Sequence, residues 1–310
     1  MLRALVAAVA GLLVAAGCGG DGDATTLRVG VVPVADVAPL YLGMEKGFFE
    51  DRGLTIEPEI ASGGAAIAAA VTAGEQQIGF SNTVSLLIAA ANGQAVQIIS
   101  QGAQAGRTAE EAWAQLLVRA DGPVREPADL QDATIAVNTL NNICEVTIKA
   151  SLEERGVDVS TLRFTEVPFE ELVPALADGR ADGACAVEPY VTLGEAAGAR
   201  GIDPFYVNTA PDLTVATYFT SRDFAAANPG VVDRFVAAMH EALEYAQAHP
   251  DEVRDVLPDY TDIDPEVADR IRLPVWRTDL NVPSIERLAE LTVEYGFIAQ
   301  EPDLDALIRR

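Results

Sequence analysis

Two stretches of this chain, about a hundred residues apart, follow one plan, and that recurrence restricts the possible folds more than any single motif. Glu50-Asp-Arg-Gly53 closes a helical segment and leads into Leu54-Thr-Ile-Glu-Pro-Glu-Ile60. Glu153-Glu-Arg-Gly156 closes another and leads into Leu162-Arg-Phe-Thr-Glu-Val167. Ala73-Gly74 and Asp178-Gly179 then end helices shortly before the apolar runs Gln77-Ile-Gly-Phe-Ser81 and Asp182-Gly-Ala-Cys-Ala-Val187. The offset is 103 residues for Gly53 to Gly156 and 105 for Gly74 to Gly179. Spacing this even, without a strict repeat, predicts two similar β-α-β-α-β units, each a layered α/β lobe. Two such lobes with helix N-termini directed at one cleft form a trap for a small molecule.

The second unit shows how such a trap is built. Ile135, Ala136 and Val137 form the short apolar run expected of a parallel strand covered on both faces. Asn138, Thr139, Asn141 and Asn142 follow where the next helix must begin. Asn141 or Asn142 would cap that helix, and its free N–H groups with the positive end of its dipole would receive an anionic or carbonyl group. An ordinary self-capping turn is the alternative. In the first unit Ser81 and Asn82 mirror these residues, again as ligand contacts or as caps. Asp36 and Tyr41, after the opening strand Leu27-Arg-Val-Gly-Val-Val-Pro-Val34, stand at the carboxyl end of a strand, where open α/β sheets bind ligands; a turn or cap role for Asp36 stays open.

Gly43-Met-Glu-Lys-Gly-Phe-Phe-Glu-Asp-Arg-Gly-Leu54, Ala73-Gly74 before Ile78-Gly-Phe80, and Asp178-Gly-Arg-Ala-Asp182 before Val187-Glu-Pro-Tyr190 occur in an order that resembles a known family. It is that of the nitrate-, sulfonate- and taurine-type substrate-binding proteins of ABC importers, with the thiamine-pyrimidine-binding proteins in the same broad group. The likeness covers roughly residues 27 to 300. It implies a two-lobed periplasmic-binding-protein fold of type II, two mixed α/β lobes joined by two crossing strands, with C-terminal helices on lobe 1. It also implies a small-molecule ligand, ABC permease and ATPase partners, and no catalytic reaction. Within that frame Glu188 and Tyr190 become ligand contacts: a carboxylate facing helix starts would select a ligand carrying a donor as well as an acceptor, as amino-sulfonates and amino-pyrimidines do. Nitrate alone fits less well, since a carboxylate buried beside a small anion is costly without a cation. Glu188 as a cap of the helix starting near Pro189 is the alternative. Tyr41, Tyr190 and Trp276 are candidate aromatic walls or plain packing.

Ahead of the lobes, Met1-Leu-Arg3 and the apolar run Ala4 to Ala16 read as a signal peptide, the run being too short to span a membrane. Ala15-Ala-Gly-Cys18 places small residues before a cysteine that lipoprotein processing would expose and lipidate, although Ala15 stands where Leu is usual. The expected division is residues 1–17 as signal peptide, 18–26 as a lipid-anchored tether, 27–120 plus 212–310 as lobe 1, and 121–211 as lobe 2. The protein is then exported, held on the outer face of the cell membrane, the periplasmic side, by its lipid, and monomeric. Gly17-Cys-Gly-Gly-Asp-Gly22 matches a nucleotide-binding pattern by chance, since no strand precedes it and no helix follows.

Composition excludes other classes. With 47 acidic against 21 basic residues the formal net charge is -26, which repels nucleic acid and anionic lipid surfaces. No G-x-S-x-G, C-x-x-C, P-loop or zinc-protease motif is present: after His240-Glu241 the second histidine's place holds Glu244, so no metal, cofactor or enzyme activity is expected. The fold's pyrimidine-synthesising relatives use a His- and Cys-rich site that this chain lacks. A ligand sensor for a membrane receptor would use the same cleft.

Two further expectations concern connections. Trp113 to Arg119 and Thr214 to Thr220 read as the two crossing strands. Once Cys18 is lipidated, Cys144 and Cys185 are the remaining thiols. The strand order 2-1-3 that this type of lobe implies sets their elements side by side, either as a disulfide or as two small buried hydrophobes.

Overall fold

The computed structural model describes residues 25–309; the signal peptide, Cys18 and nearly all of the expected tether lie outside them. Strand β1 (Thr25–Val31) starts two residues earlier than expected, so Thr25 and Thr26 belong to the first sheet and not to the tether. It is followed by a 3₁₀ turn at Ala35–Val37, α1 (Ala38–Glu45), β2 (Leu54–Ile60), α2 (Gly64–Thr72), β3 (Ile78–Asn82), α3 (Thr83–Ala91) and β4 (Val96–Gln104). The second unit comprises β5 (Ala114–Arg119), β6 (Thr134–Val137), α4 (Ile143–Glu153), β7 (Arg163–Glu166), α5 (Phe169–Ala177), β8 (Gly183–Val187), α6 (Tyr190–Ala196), β9 (Ala199–Asp203) and α7 (Phe205–Thr209). The chain then returns through β10 (Thr214–Ser221) and ends in helices, among them α8 (Arg222–Ala227), α9 (Pro229–Ala248), α10 (Pro250–Val256), α11 (Pro258–Thr261), α12 (Pro265–Ala268) and α13 (Val282–Glu294).

Two five-stranded mixed sheets result, ordered β2-β1-β3-β10-β4 and β7-β6-β8-β5-β9. In each, three parallel strands run in the order second-first-third, and an antiparallel strand followed by one further strand extends the sheet beyond them. The glycines behind the recurrence all hold left-handed backbone, at φ 65° and 79° for Gly53 and Gly156 and 77° and 71° for Gly74 and Gly179. Only glycine adopts that conformation without steric penalty. The even spacing thus records where each unit stops a helical turn and starts a strand.

The expected crossing strands do not cross. β5 lies inside the second sheet, paired with β8 and β9, so residues 114–120 belong with lobe 2 and not lobe 1. β10 lies wholly within the first sheet between β3 and β4. The crossings are the short segments before these strands, 105–113 and 210–213, and they bond to each other: Ala105 N–H donates to the Leu213 carbonyl at 2.9 Å and Asp212 N–H to the Gly106 carbonyl at 3.4 Å. β4 runs through Gly102 to Gln104 because β10 supplies a partner along its whole length.

The buried face of α9 carries Val232, Phe235, Met239 and Leu243 and packs on α1 and β4. α13 packs on α3 but also touches α4 of the second lobe, with the Tyr295 hydroxyl donating to Glu153 Oε2 at 2.8 Å. The C-terminal region therefore rests on the first lobe and reaches across to the second.

Candidate functional site

Three helices begin at the cleft because the strand ahead of each ends there: α2 after β2, α3 after β3 and α4 after β6. Asn82 and Asn142 cap the last two. Asn82 Oδ1 accepts from Ser85 N–H at 2.9 Å and Asn142 Oδ1 from Cys144 N–H at 2.9 Å. Neither amide is free of its own helix, so each serves as a cap while also lining the cleft. α2 has no side-chain cap; its N-cap is Gly63 in extended backbone. Its first N–H groups are the ones a ligand can take up.

The lobes meet at this point. Asn138 accepts from Asn142 Nδ2 at 2.9 Å and donates through Nδ2 to the Ser62 carbonyl at 3.1 Å, bridging the lobes. Ala35 N–H donates across the cleft to the Glu188 carbonyl at 2.9 Å. A Cβ on Gly63 would lie 2.8 Å from Thr139 Cγ2, so the approach depends on the missing side chain. Between them remains a cavity of about 50 Å³, lined by Asp36, Asn82, Asn138 and Asn142 among apolar groups such as Val34 and Phe80. It holds a few waters or the head of a small solute. Val32 and Phe169 are shared with a wider groove of about 880 Å³ at the mouth of the cleft.

Asp36 dominates the electrostatics of the cavity. Its carboxyl is buried and Oδ1 has no hydrogen-bond partner. Burial pushes its pKa up to about 7 against a weak opposing bond from its own backbone. Its main chain is fixed by Trp276 Nε1, which donates to the Asp36 carbonyl at 3.3 Å. The candidate wall Trp276 is thus a buried support behind Asp36.

The other sequence candidates separate into groups. Thr139 flanks the interlobe contact against Gly63. Tyr190 lines the wider groove, stacked on Phe169 with ring centroids 5.2 Å apart, and burial pushes its pKa up to about 12. Tyr41 stacks on Tyr260 at 4.0 Å, outside both cavity linings. Ser81 is buried behind the cavity with Gly64 against it, a Cβ there falling 2.0 Å from its Oγ. Asn141 is exposed in left-handed backbone at φ 55°, its N–H donating to Glu145 Oε1 at 2.6 Å, so it shapes the turn without reaching the cavity.

Glu188 is also placed differently from the expectation. Its carboxylate accepts from Thr192 N–H at 3.0 Å, Thr192 Oγ1 at 2.9 Å and Arg272 N–H at 3.2 Å, with the Arg272 guanidinium 3.8 Å away. Burial outweighs these donors and raises its pKa to about 7. It holds the first turn of α6 and ties in the C-terminal segment, and it is absent from the cavity lining. Gly63, Phe169 and Tyr206 are lining residues that the sequence reading passed over. Pro168-Phe169 follows β7 much as Ser62-Gly63 follows β2, so the recurrence itself carried the signal for Phe169; nothing local marked Tyr206. Cys144, at the cavity wall, is joined to Cys185 in a disulfide with Cα atoms 6.1 Å apart.

The model of the family described as NMT1/THI5 like matches residues 34–253. The taurine-binding periplasmic protein of Escherichia coli (strain K12) is 25% identical over 204 residues, 66% of this chain and 61% of that relative; the match thus spans less than two thirds of the relative's length. The alkanesulfonate-binding protein from Xanthomonas axonopodis pv. citri, solved bound to MOPS, superimposes with a TM-score of 0.76 at 19% identity, covering 92% of this chain and 98% of that one. The periplasmic nitrate-binding protein from Synechocystis PCC 6803 gives 0.77 at 14% identity over 93% and 86%. The fold is that of periplasmic binding proteins, and with its family model matched over most of its length the chain belongs to the NMT1/THI5-like family.

Proposed function

We propose that this protein is an exported, lipid-anchored solute-binding protein that closes on a small polar organic ligand between its lobes and delivers it to an ABC permease. The observation that carries this reading is the cavity itself. Two sheets joined by paired short crossings meet over it, three helices start at it, and its polar groups come from both lobes. Binding groups divided between two bodies make closure and capture one event, the logic of a hinged trap. The relatives named above bind taurine, alkanesulfonates and nitrate, which supports a small polar solute.

A thermal-shift screen of the purified protein against sulfonates, amino-sulfonates, nitrate, pyrimidines and amino acids tests the reading. A true ligand at about 100 times its dissociation constant adds roughly 2.7 kcal/mol of stability. No shift from any of these classes would contradict it. Anchoring through Cys18 is tested separately: Cys18→Ala should abolish lipid labelling and release the protein from membranes with ligand affinity intact. Unchanged partitioning into detergent would contradict the anchor.

A further inference from the structure

The cleft buries a carboxyl group with an unpartnered oxygen in a place where the helix starts would invite an anion. Asp36 is 5% exposed and its Oδ1 has no partner. Three buried phenols, Tyr206, Tyr218 and Tyr260, feel its charge, which, added to burial, pushes their hydroxyls further above their ordinary range. The Tyr218 hydroxyl is itself buried and unpartnered. No Lys, Arg or His is among the residues lining the cavity or the groove leading to it. The groove instead presents three exposed carboxylates, Glu170, Asp262 and Asp264. A buried carboxylate without a cation is unfavourable for the empty protein, and a row of carboxylates at the entrance repels a simple anion.

We infer that the ligand carries an ammonium or equivalent cationic nitrogen, for which Asp36 is the counter-ion inside the closed cleft. This rests on the proposed function, which it deepens by naming the ligand's charge. The helix starts that line the same cavity then take an acceptor elsewhere on the ligand, so the class is a small zwitterion or amino-bearing solute. Free nitrate and simple sulfonates fall outside it. Asp36 provides specificity as well as affinity: a ligand without the nitrogen leaves the carboxylate buried and unpaired, and sites built this way reject the incomplete analogue strongly.

The test uses the full mature chain and pairs of compounds that differ by one ammonium group: taurine against ethanesulfonate, and β-alanine against propionate, with nitrate as a bare anion. Calorimetric titration at pH 8 should show an amine-bearing member binding at least tenfold tighter than its partner, and no heat from nitrate. In Asp36→Asn, checked by circular dichroism for native fold, that preference should fall to within about twofold. Ethanesulfonate, propionate or nitrate binding as tightly as the amines would overturn the inference while leaving the proposed small-solute function standing. An unchanged preference in Asp36→Asn would overturn the role of Asp36. Failure of all five compounds to bind would overturn the inference, while the proposed function would still be decided by the wider screen with pyrimidines and amino acids. The wild-type comparison stands even if the variant fails to fold.

Discussion

Asp36 and Glu188 show how two carboxylates in similar burial come to do different work. Both have their pKa raised to about 7 by burial. Glu188 has three donors and a guanidinium, whereas Asp36 Oδ1 has none. For Asp36 the folded value lies above the unfolded one, so the folded state retains a proton that the unfolded state has lost between about pH 4 and 7. Stability contributed by the neutral carboxyl is therefore present at low pH and lost as pH rises, by about 4 kcal/mol once pH exceeds 7. Asp36→Asn should raise the melting temperature of the ligand-free protein at pH 8 and change it little at pH 4. A lower melting temperature at pH 8 would mean that a partner holds the carboxylate. The sequence placed Asp36 at a strand end correctly but favoured Glu188 as the donor-selecting group. Its partner Thr192 is four residues away and readable in principle; Arg272 is 84 residues away, and only the fold brings it there.

At the scale of elements, the pattern of turns was legible and the long-range pairing was not. The left-handed glycines fixed where helical turns stop and strands begin in both units, and the order second-first-third followed from the family resemblance. β9 went unseen because Ala-Arg-Gly-Ile-Asp shows little alternation and owes its strand to β5. The crossings were misplaced for the same reason: apolar alternation marks β5 and β10 as strands but does not say which sheet receives them. Two predictions belong here. Gly63→Val would set a branched side chain against Thr139 and Asn138, so ligand affinity should fall more than tenfold while the ligand-free melting temperature stays within a few degrees; the backbone there is extended and accepts valine. A variant binding normally would show that Gly63 is not part of the closing contact. The Cys144–Cys185 disulfide closes a loop of sequence separation 41 between the first turn of α4 and β8. By the loop-entropy estimate it adds roughly 3 to 4 kcal/mol. Replacing both cysteines by alanine should lower stability by that order, and alkylation of the unreduced protein should label neither; two labelled thiols would contradict the bond.

Across the whole molecule, the C-terminal region ties one lobe to the other. Arg272 reaches from the segment after α12 to Glu188 and, at 2.5 Å, to Glu195 of α6. Arg272→Ala should shift the open–closed balance toward open, read as an increased radius of gyration in small-angle scattering without ligand, and should weaken binding several-fold. Unchanged scattering would confine Arg272 to local support. Capture of a small solute between the lobes with its nitrogen on Asp36 is decided by a crystal structure of the protein with the tightest ligand from the screen. Ligand density is expected between Asp36 and the N-termini of α2, α3 and α4, with a ligand nitrogen within hydrogen-bond distance of Asp36 Oδ1. A ligand seated elsewhere, or one presenting no nitrogen to Asp36, would contradict it.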